Sequence, residues 1–316
     1  MTPAEGIQPP TNHGWWAYVA LGAGVVCIAW SAIFVLLADV PGPASAFYRV
    51  FFAGLVVVPW WLRRRQPLPE SAALRLTLAA GLFFALDLAL WNTAILLSSA
   101  STATLLANNA PLWVGLGTVV VFRERLPALF WIGLGVGLAG TAVVIGLVGF
   151  GSAAVGLGDA LALAASVLYA AYLLTTQQVR ARLDTLTFMA VSACASAAVL
   201  LAICLAGDVP LAGYRAASWA ALAGLGLVSQ LGGWLAINYA LGHIRASVAS
   251  VTLLGQTVLT AFFAMLVLGE QLTPDDAVGG ILVLAGIVLV HRGGRPAGRG
   301  RRDASPAGGD GDLAPL

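Results

Sequence analysis

Residues 133–140 read GLGVGLAG, and Gly135, Gly137 and Gly140 within them spell G-x-G-x-x-G, the turn that cradles a dinucleotide pyrophosphate. Such a turn needs a strand before it, a helix opening at it and an acid about 20 residues on for the ribose. Asp159 falls near that distance, so spacing alone does not dismiss the motif. Context does. The glycines lie inside Leu126–Phe150, a run without charge that is long enough to cross about 30 Å of hydrocarbon. The stretch is either a soluble α/β turn or part of a membrane helix, and the rest of the chain decides for the helix.

Of the 316 residues, 59% are hydrophobic and 9% are charged, with a mean hydropathy of +0.90. Soluble domains carry about 25% charged residues. Apolar runs of spanning length recur at 16–38, 44–62, 74–98, 100–122, 127–148, 156–177, 185–206, 216–241, 246–268 and 274–291. The expected fold is an all-α polytopic membrane protein of ten transmembrane helices. The head, residues 1–15, lacks the basic n-region of a signal peptide, and the run after it is too long for one, so the first helix is expected to stay as an anchor. The tail, 292–316, rich in Arg, Gly and Pro, reads as disordered.

All sixteen basic residues are Arg. With the N-terminus in the cytoplasm, the inside connections hold Arg63, Arg64, Arg65, Arg75, Arg123, Arg125, Arg180, Arg182 and Arg245, and the tail adds five more, against Arg215 alone outside. The positive-inside rule therefore places both termini in the cytoplasm. The net charge of +2 is a sorting signal and gives no reason to expect nucleic-acid binding. Cys27, Cys194 and Cys204 all fall within predicted helices, which argues against a disulfide framework or zinc cluster, and no cofactor is expected.

Sliding the chain along itself by 146 residues pairs Asn92 with Asn238, Ala94 with Ala240, Ser101 with Ser247, Ala103 with Ala249, Glu124 with Glu270 and Leu126 with Leu272. The register continues through Gly133/Gly279, Leu138/Leu284, Ala139/Ala285, Gly140/Gly286 and Val144/Val290. Each half, 16–148 and 156–291, then holds five helices, an odd number, so the second half is expected to be inverted relative to the first. Gly135 and Gly137 become Ile281 and Val283, so the nucleotide fingerprint does not repeat; what repeats is a pair of glycines seven apart on one helix face. Small residues so placed let helices approach closely.

The stretches ASTATLLANNAPLWVGLGTVVVFRERL (100–126) and ASVASVTLLGQTVLTAFFAMLVLGEQL (246–272), with CIAWSAIFV (27–35) and GDALALAASVLYAAYLL (158–174), resemble the EamA family of the drug/metabolite transporter superfamily. The resemblance covers nearly all of 16–291 and implies a bacterial inner-membrane carrier, commonly an exporter of amino acids or other small metabolites. It implies a cavity lined mainly by helices 1, 3, 4, 6, 8 and 9. The chain departs from the small multidrug relatives, which place a glutamate in the first helix to exchange protons for drugs; here that helix offers Trp30 and Ser31 near its middle.

A charged residue at a helix centre costs about 2.5–3.5 kcal/mol on insertion scales, so it is normally paired or turned to water. Asp87 sits near the middle of the third span, one turn from Trp91 and on the same side. It is either a group that carries protons or holds an amino group, or a structural acid tied to hydroxyls or an Arg. Arg49, within two turns of the outer end of the second span, either binds a substrate carboxylate, snorkels to the headgroups, or braces Asp87 or a helix end. Gln230, Trp234 and Asn238 fall at i, i+4 and i+8 on span 8, and Thr252, Gln256 and Thr260 do the same on span 9. Such stripes serve a ligand or hold helices together. Asn109 and Trp113 share a face beside Pro111, which is expected to kink the fourth span and free a carbonyl. Trp30, Trp91, Tyr169 and Trp234 offer aromatic walls for flat solutes or an ammonium, or plain packing.

The expected function is export of small molecules across the bilayer by alternating access, with protons as a possible coupling ion. The competing readings are an intramembrane enzyme and a non-transporting scaffold subunit. An enzyme would need a nucleophile and base, or paired acids, inside the bundle, but His13, His243 and His291 lie at or beyond helix ends and Asp87 has no central acidic partner.

Overall fold

The computed structural model describes residues 14–66, 68–97, 106–144, 156–269 and 274–293. The head before Gly14, the tail after Gly293 and the repeat positions Ser101, Ala103, Glu270 and Leu272 lie outside the described residues. Within them the chain is all helix, without strands: α1 (Gly14–Ala38), α2 (Gly42–Arg63), α3 (Ser71–Leu97), α4 (Ala110–Val120), α5 (Ala128–Val144), α6 (Leu157–Arg180), α7 (Thr185–Ala206), α8 (Ala216–Leu241), α9 (Ala246–Leu253 and Gly255–Leu268) and α10 (Pro274–Gly293). Eight of these are long and apolar enough to cross a membrane, which makes the protein multi-pass. Their outer faces expose apolar side chains such as Leu205, Ile281 and Leu284, as a lipid solvent requires.

The two shorter helices, α4 and α5, have 11 and 17 described residues. In α4 the cause lies at Pro111. The sequence predicts a kink there, but the helix begins at Ala110 instead, because Pro111 has no N–H to donate and its ring clashes with the carbonyl four residues back. Residues 108–109 form a turn in which the Asn109 N–H donates to the Leu106 carbonyl (3.2 Å). The fourth helix of the second half is interrupted as well: α9 breaks at Leu254, the register partner of Asn108. Leu254 N–H donates to Val251 O and Thr257 N–H to Leu254 O, three-residue spacings that tighten the helix at the break.

The glycines of the opening stretch form a seam. A β-carbon at Gly133 would come within 2.7 Å of the Gly286 carbonyl oxygen, and one at Gly140 within 2.5 Å of the Val283 nitrogen and 2.6 Å of the Gly279 carbonyl oxygen. Gly279 and Gly286 meet Gly140 and Gly133 in return, so α5 and α10 run antiparallel with backbone against backbone. Gly135, dispensable to the seam, has nothing within 4 Å.

Packing elsewhere follows the same exchange of halves. α1 packs on α8 as α6 packs on α3; α1 packs on α9 as α6 packs on α4; α2 packs on α8 as α7 packs on α3; and α2 packs on its own partner α7. Arg123 after α4 and Gly269 after α9, also register partners, are both left-handed, at φ 54° and 71°.

Candidate functional site

Helices from both halves enclose a cavity of about 470 Å³. α1 contributes Ser31 and Leu36; α2, Arg49; α3, Phe84, Asp87 and Trp91; α6, Tyr169; α8, Trp234; and α9, Gln256, Thr257 and Thr260. Asn108 and Ala107 enter from the turn that precedes α4. Asp87 and Trp91 face it together, as their i, i+4 spacing dictates. Six of the sequence-predicted residues therefore share one space: Arg49, Asp87, Trp91, Tyr169, Trp234 and Gln256.

The remaining four lie off the cavity. Trp30 turns away and stacks on Phe263 with ring centroids 4.5 Å apart, fastening α1 to α9. Asn109 is used at the start of α4, where its side chain donates to the Leu106 carbonyl (3.2 Å). Gln230 leaves the stripe it was expected to share with Trp234. Residues Leu225–Gly233 of α8 are wound as a π-helix, whose i→i+5 bonds change the angle between successive side chains and spoil a face drawn at 3.6 residues per turn. Gln230 consequently meets Arg49 of α2. Asn238 stays one α-helical turn from Trp234, within Trp234–Leu241, and is taken up by Tyr172 of α6. The α9 stripe is cut by the break at Leu254: Gln256 and Thr260 face the cavity, while Thr252 bonds His291 of α10 (2.9 Å).

Two polar residues that sequence reasoning passed over belong to the site. The Asn108 amide donates to the Thr257 hydroxyl across the cavity wall (3.4 Å), joining the interrupted parts of α4 and α9. The signal was present in the register, which aligns Asn108 with the break at Leu254 and Pro111 with Thr257. Thr260 spends its hydroxyl on the Ala29 carbonyl (2.9 Å). Ser31 Oγ is buried with no partner.

The charges are placed with care. Arg49 is buried and donates from Nε to Gln230 Oε1 at 2.7 Å. Asp87 shares the cavity and feels the Arg49 charge, yet no ion pair closes between them; among the described residues the ion pair is Arg245 with Glu124, 3.9 Å apart at the surface. Below the two charges lies an aromatic floor. Trp234 meets Phe84, Tyr172 and Tyr169 edge-on at 5.0, 5.1 and 5.9 Å.

Under the floor the bundle is tied shut. Tyr172 donates to Asn238 Oδ1 (3.2 Å), Arg180 Nε to the Asn238 carbonyl (3.0 Å), and the Ala246 N–H to Gln177 Oε1. Thr187 donates to Gln66 (2.6 Å) at the same end. These ties join the ends of the bundle that carry Arg64, Arg182 and Arg245. The cavity reaches the opposite end, where Leu36, Val144 and Ala264 line it near the ends of their helices.

Residues 5–146 and 156–292 each match the model of the EamA-like transporter family. The chain belongs to that family. A probable terminal-alkyne amino-acid exporter from Streptantibioticus cattleyicolor is 32% identical over 211 residues, 66% of this chain and 69% of that one. A solved crystal structure shares the fold with a TM-score of 0.76, covering 89% of this chain and 99% of its own at 21% identity.

Proposed function

We propose that this EamA-family protein is a secondary transporter that exports small metabolites, amino acids among them, across the bacterial inner membrane by alternating access. The observation that carries the reading is the cavity: about 470 Å³, drawn from both halves, holding an acid and a base that do not neutralise each other. A purely structural polar pair in a bilayer would close on itself, because an unpaired charge there is costly. The amino-acid class is supported by the relative described as a probable amino-acid exporter.

Ten spans arranged as two inverted halves account for the antiparallel glycine seam between α5 and α10, the exchange symmetry of helix contacts and the matched breaks in α4 and α9. Interrupted helices near a midplane site recur in inverted-repeat carriers. With the Arg-bearing connections in the cytoplasm, the cavity opens outward and the ties around Asn238 form the closed inner gate. Asp87, Trp91, Tyr169, Trp234 and Gln256 contact the transported solute. Trp30, Asn109, Gln230 and Asn238 hold the walls and gate. Protons couple the cycle at Asp87, whose carboxylate faces the cavity.

Inside-out vesicles test this directly. Labelled neutral amino acids are expected to accumulate when an inward-acid pH gradient is imposed, and Asp87→Asn is expected to leave uptake indifferent to the gradient. Absence of accumulation for all amino acids, together with no rise in melting temperature of the purified protein in their presence, would overturn the proposal.

A further inference from the structure

The geometry points to a cavity that reads both charged ends of a zwitterionic α-amino acid at once, Arg49 taking the carboxylate and Asp87 the ammonium. This rests on the exporter reading above and narrows it to solutes that carry both groups on one carbon.

Gln230 makes the arrangement possible. A guanidinium has five N–H donors in a rigid fork, and a carboxylate is gripped best by two of them in parallel. Gln230 Oε1 occupies only the Nε–H, at 2.7 Å, and both residues are buried. The Arg49 side chain is thereby fixed, and among the described residues no other hydrogen bond takes up the terminal nitrogens of the fork. Asp87 is complementary: it lines the cavity partly buried and makes no hydrogen bond or ion pair with any described side chain. Each group thus lacks the partner that the opposite end of an amino acid would supply. Tyr169, close enough to feel both charges, lines the cavity beside them. The remaining wall at this level is Leu88, Trp91, Trp234 and Ile28, which suits an apolar side chain.

The alternative is that Asp87 merely balances the charge of Arg49 in a low-dielectric space, with the solute bound elsewhere. Substrate analogues and a paired substitution separate the two. In proteoliposomes containing the full-length protein, unlabelled L-leucine, leucinamide, isopentylamine and 2-hydroxyisocaproate compete against labelled L-leucine. Leucinamide and isopentylamine lack the carboxylate, and 2-hydroxyisocaproate lacks the ammonium. In the unmodified protein each analogue is expected to compete roughly tenfold to a hundredfold more weakly than leucine, the value of one charge-assisted contact. Arg49→Gln is expected to erase the penalty on leucinamide and isopentylamine but not on 2-hydroxyisocaproate, and Asp87→Asn the penalty on 2-hydroxyisocaproate alone. The double variant, Arg49→Gln with Asp87→Asn, is expected to stay as poor as the worse single one.

Recovery of leucine transport in the double variant, or equal competition by all four compounds in the unmodified protein, overturns the inference while leaving an amino-acid exporter in place. Failure of leucine and every other amino acid to move at all, or to raise the melting temperature, sinks the exporter reading and this one with it. The analogue series on unmodified protein needs no variant to fold.

Discussion

Arg49 shows how a neighbour decides what a residue does. A lone guanidinium on a flexible stem would sample several positions and could reach the headgroups; one whose Nε is held by a buried amide cannot. Gln230→Leu is therefore expected to raise the KM for leucine about tenfold with little change in maximal rate, because it loosens the binding fork without touching the gate. Gln230→Glu should keep the hydrogen bond yet neutralise the fork, and so remove discrimination against leucinamide in the same competition assay. A second residue-scale expectation concerns Asp184, which caps α7 by accepting from the Leu186 and Thr187 amides at 3.0 and 3.1 Å. Partial burial pushes its carboxyl up, but these hydrogen bonds and nearby Arg180 outweigh that and hold it below the usual carboxylate range. A depressed native value means stability that is whole above about pH 4 and lost as pH falls further. Asp184→Ala should lower Tm by a few degrees at pH 7, a typical cap being worth about 1 kcal/mol, and the gap to the unmodified protein should shrink in strong acid. The candidate charges were legible as residues, since an Asp or Arg in so apolar a chain stands out. Their relation was not: nothing in the spacing of 49, 87 and 230 brings Arg49 beside Gln230 or sets it on the same cavity as Asp87.

At the scale of the helix, the spans were legible because hydrocarbon allows few lengths, and predicted and observed helices agree to within about a turn except in the fourth. What escaped was helix irregularity. The π-wound part of α8 and the break in α9 each rotate one set of side chains against the next, which separates Gln230 from Trp234 and Thr252 from Gln256. Glycine clusters at 224–226 and 232–233 were the available hint for α8, since they flank the rewound segment. The seam gives a paired prediction. Gly140→Ala places a methyl group 2.5 Å from the Val283 nitrogen, a backbone atom that cannot step aside, and should cost about 1–3 kcal/mol of stability. Gly135→Ala meets open space and should leave Tm unchanged or slightly raised, since Ala favours helix over Gly. Melting curves of the two purified variants check both, and equal losses would discard the seam.

For the whole molecule, the offset of 146 residues carried more information than any single motif, because it picked out the glycines of α5 and α10 that the structure brings together. The resulting contacts make the opening of the cavity a measurable asymmetry. In a background freed of Cys27, Cys194 and Cys204, Thr260→Cys should react with a membrane-impermeant maleimide added outside intact cells, and leucine should protect it. His243→Cys, exposed at the end that carries the ties at Gln177, should react only when the reagent reaches the cytoplasmic face. The opposite pattern would reverse the assigned topology.

The seam between α5 and α10 has one more consequence. Gly133 sits on Gly286 and Gly140 on Gly279, so each half offers the other the same patch that it receives. Such a self-complementary surface is isologous, the kind by which identical subunits form a two-fold dimer. The two glycine pairs thus meet as the matching patches of two protomers would.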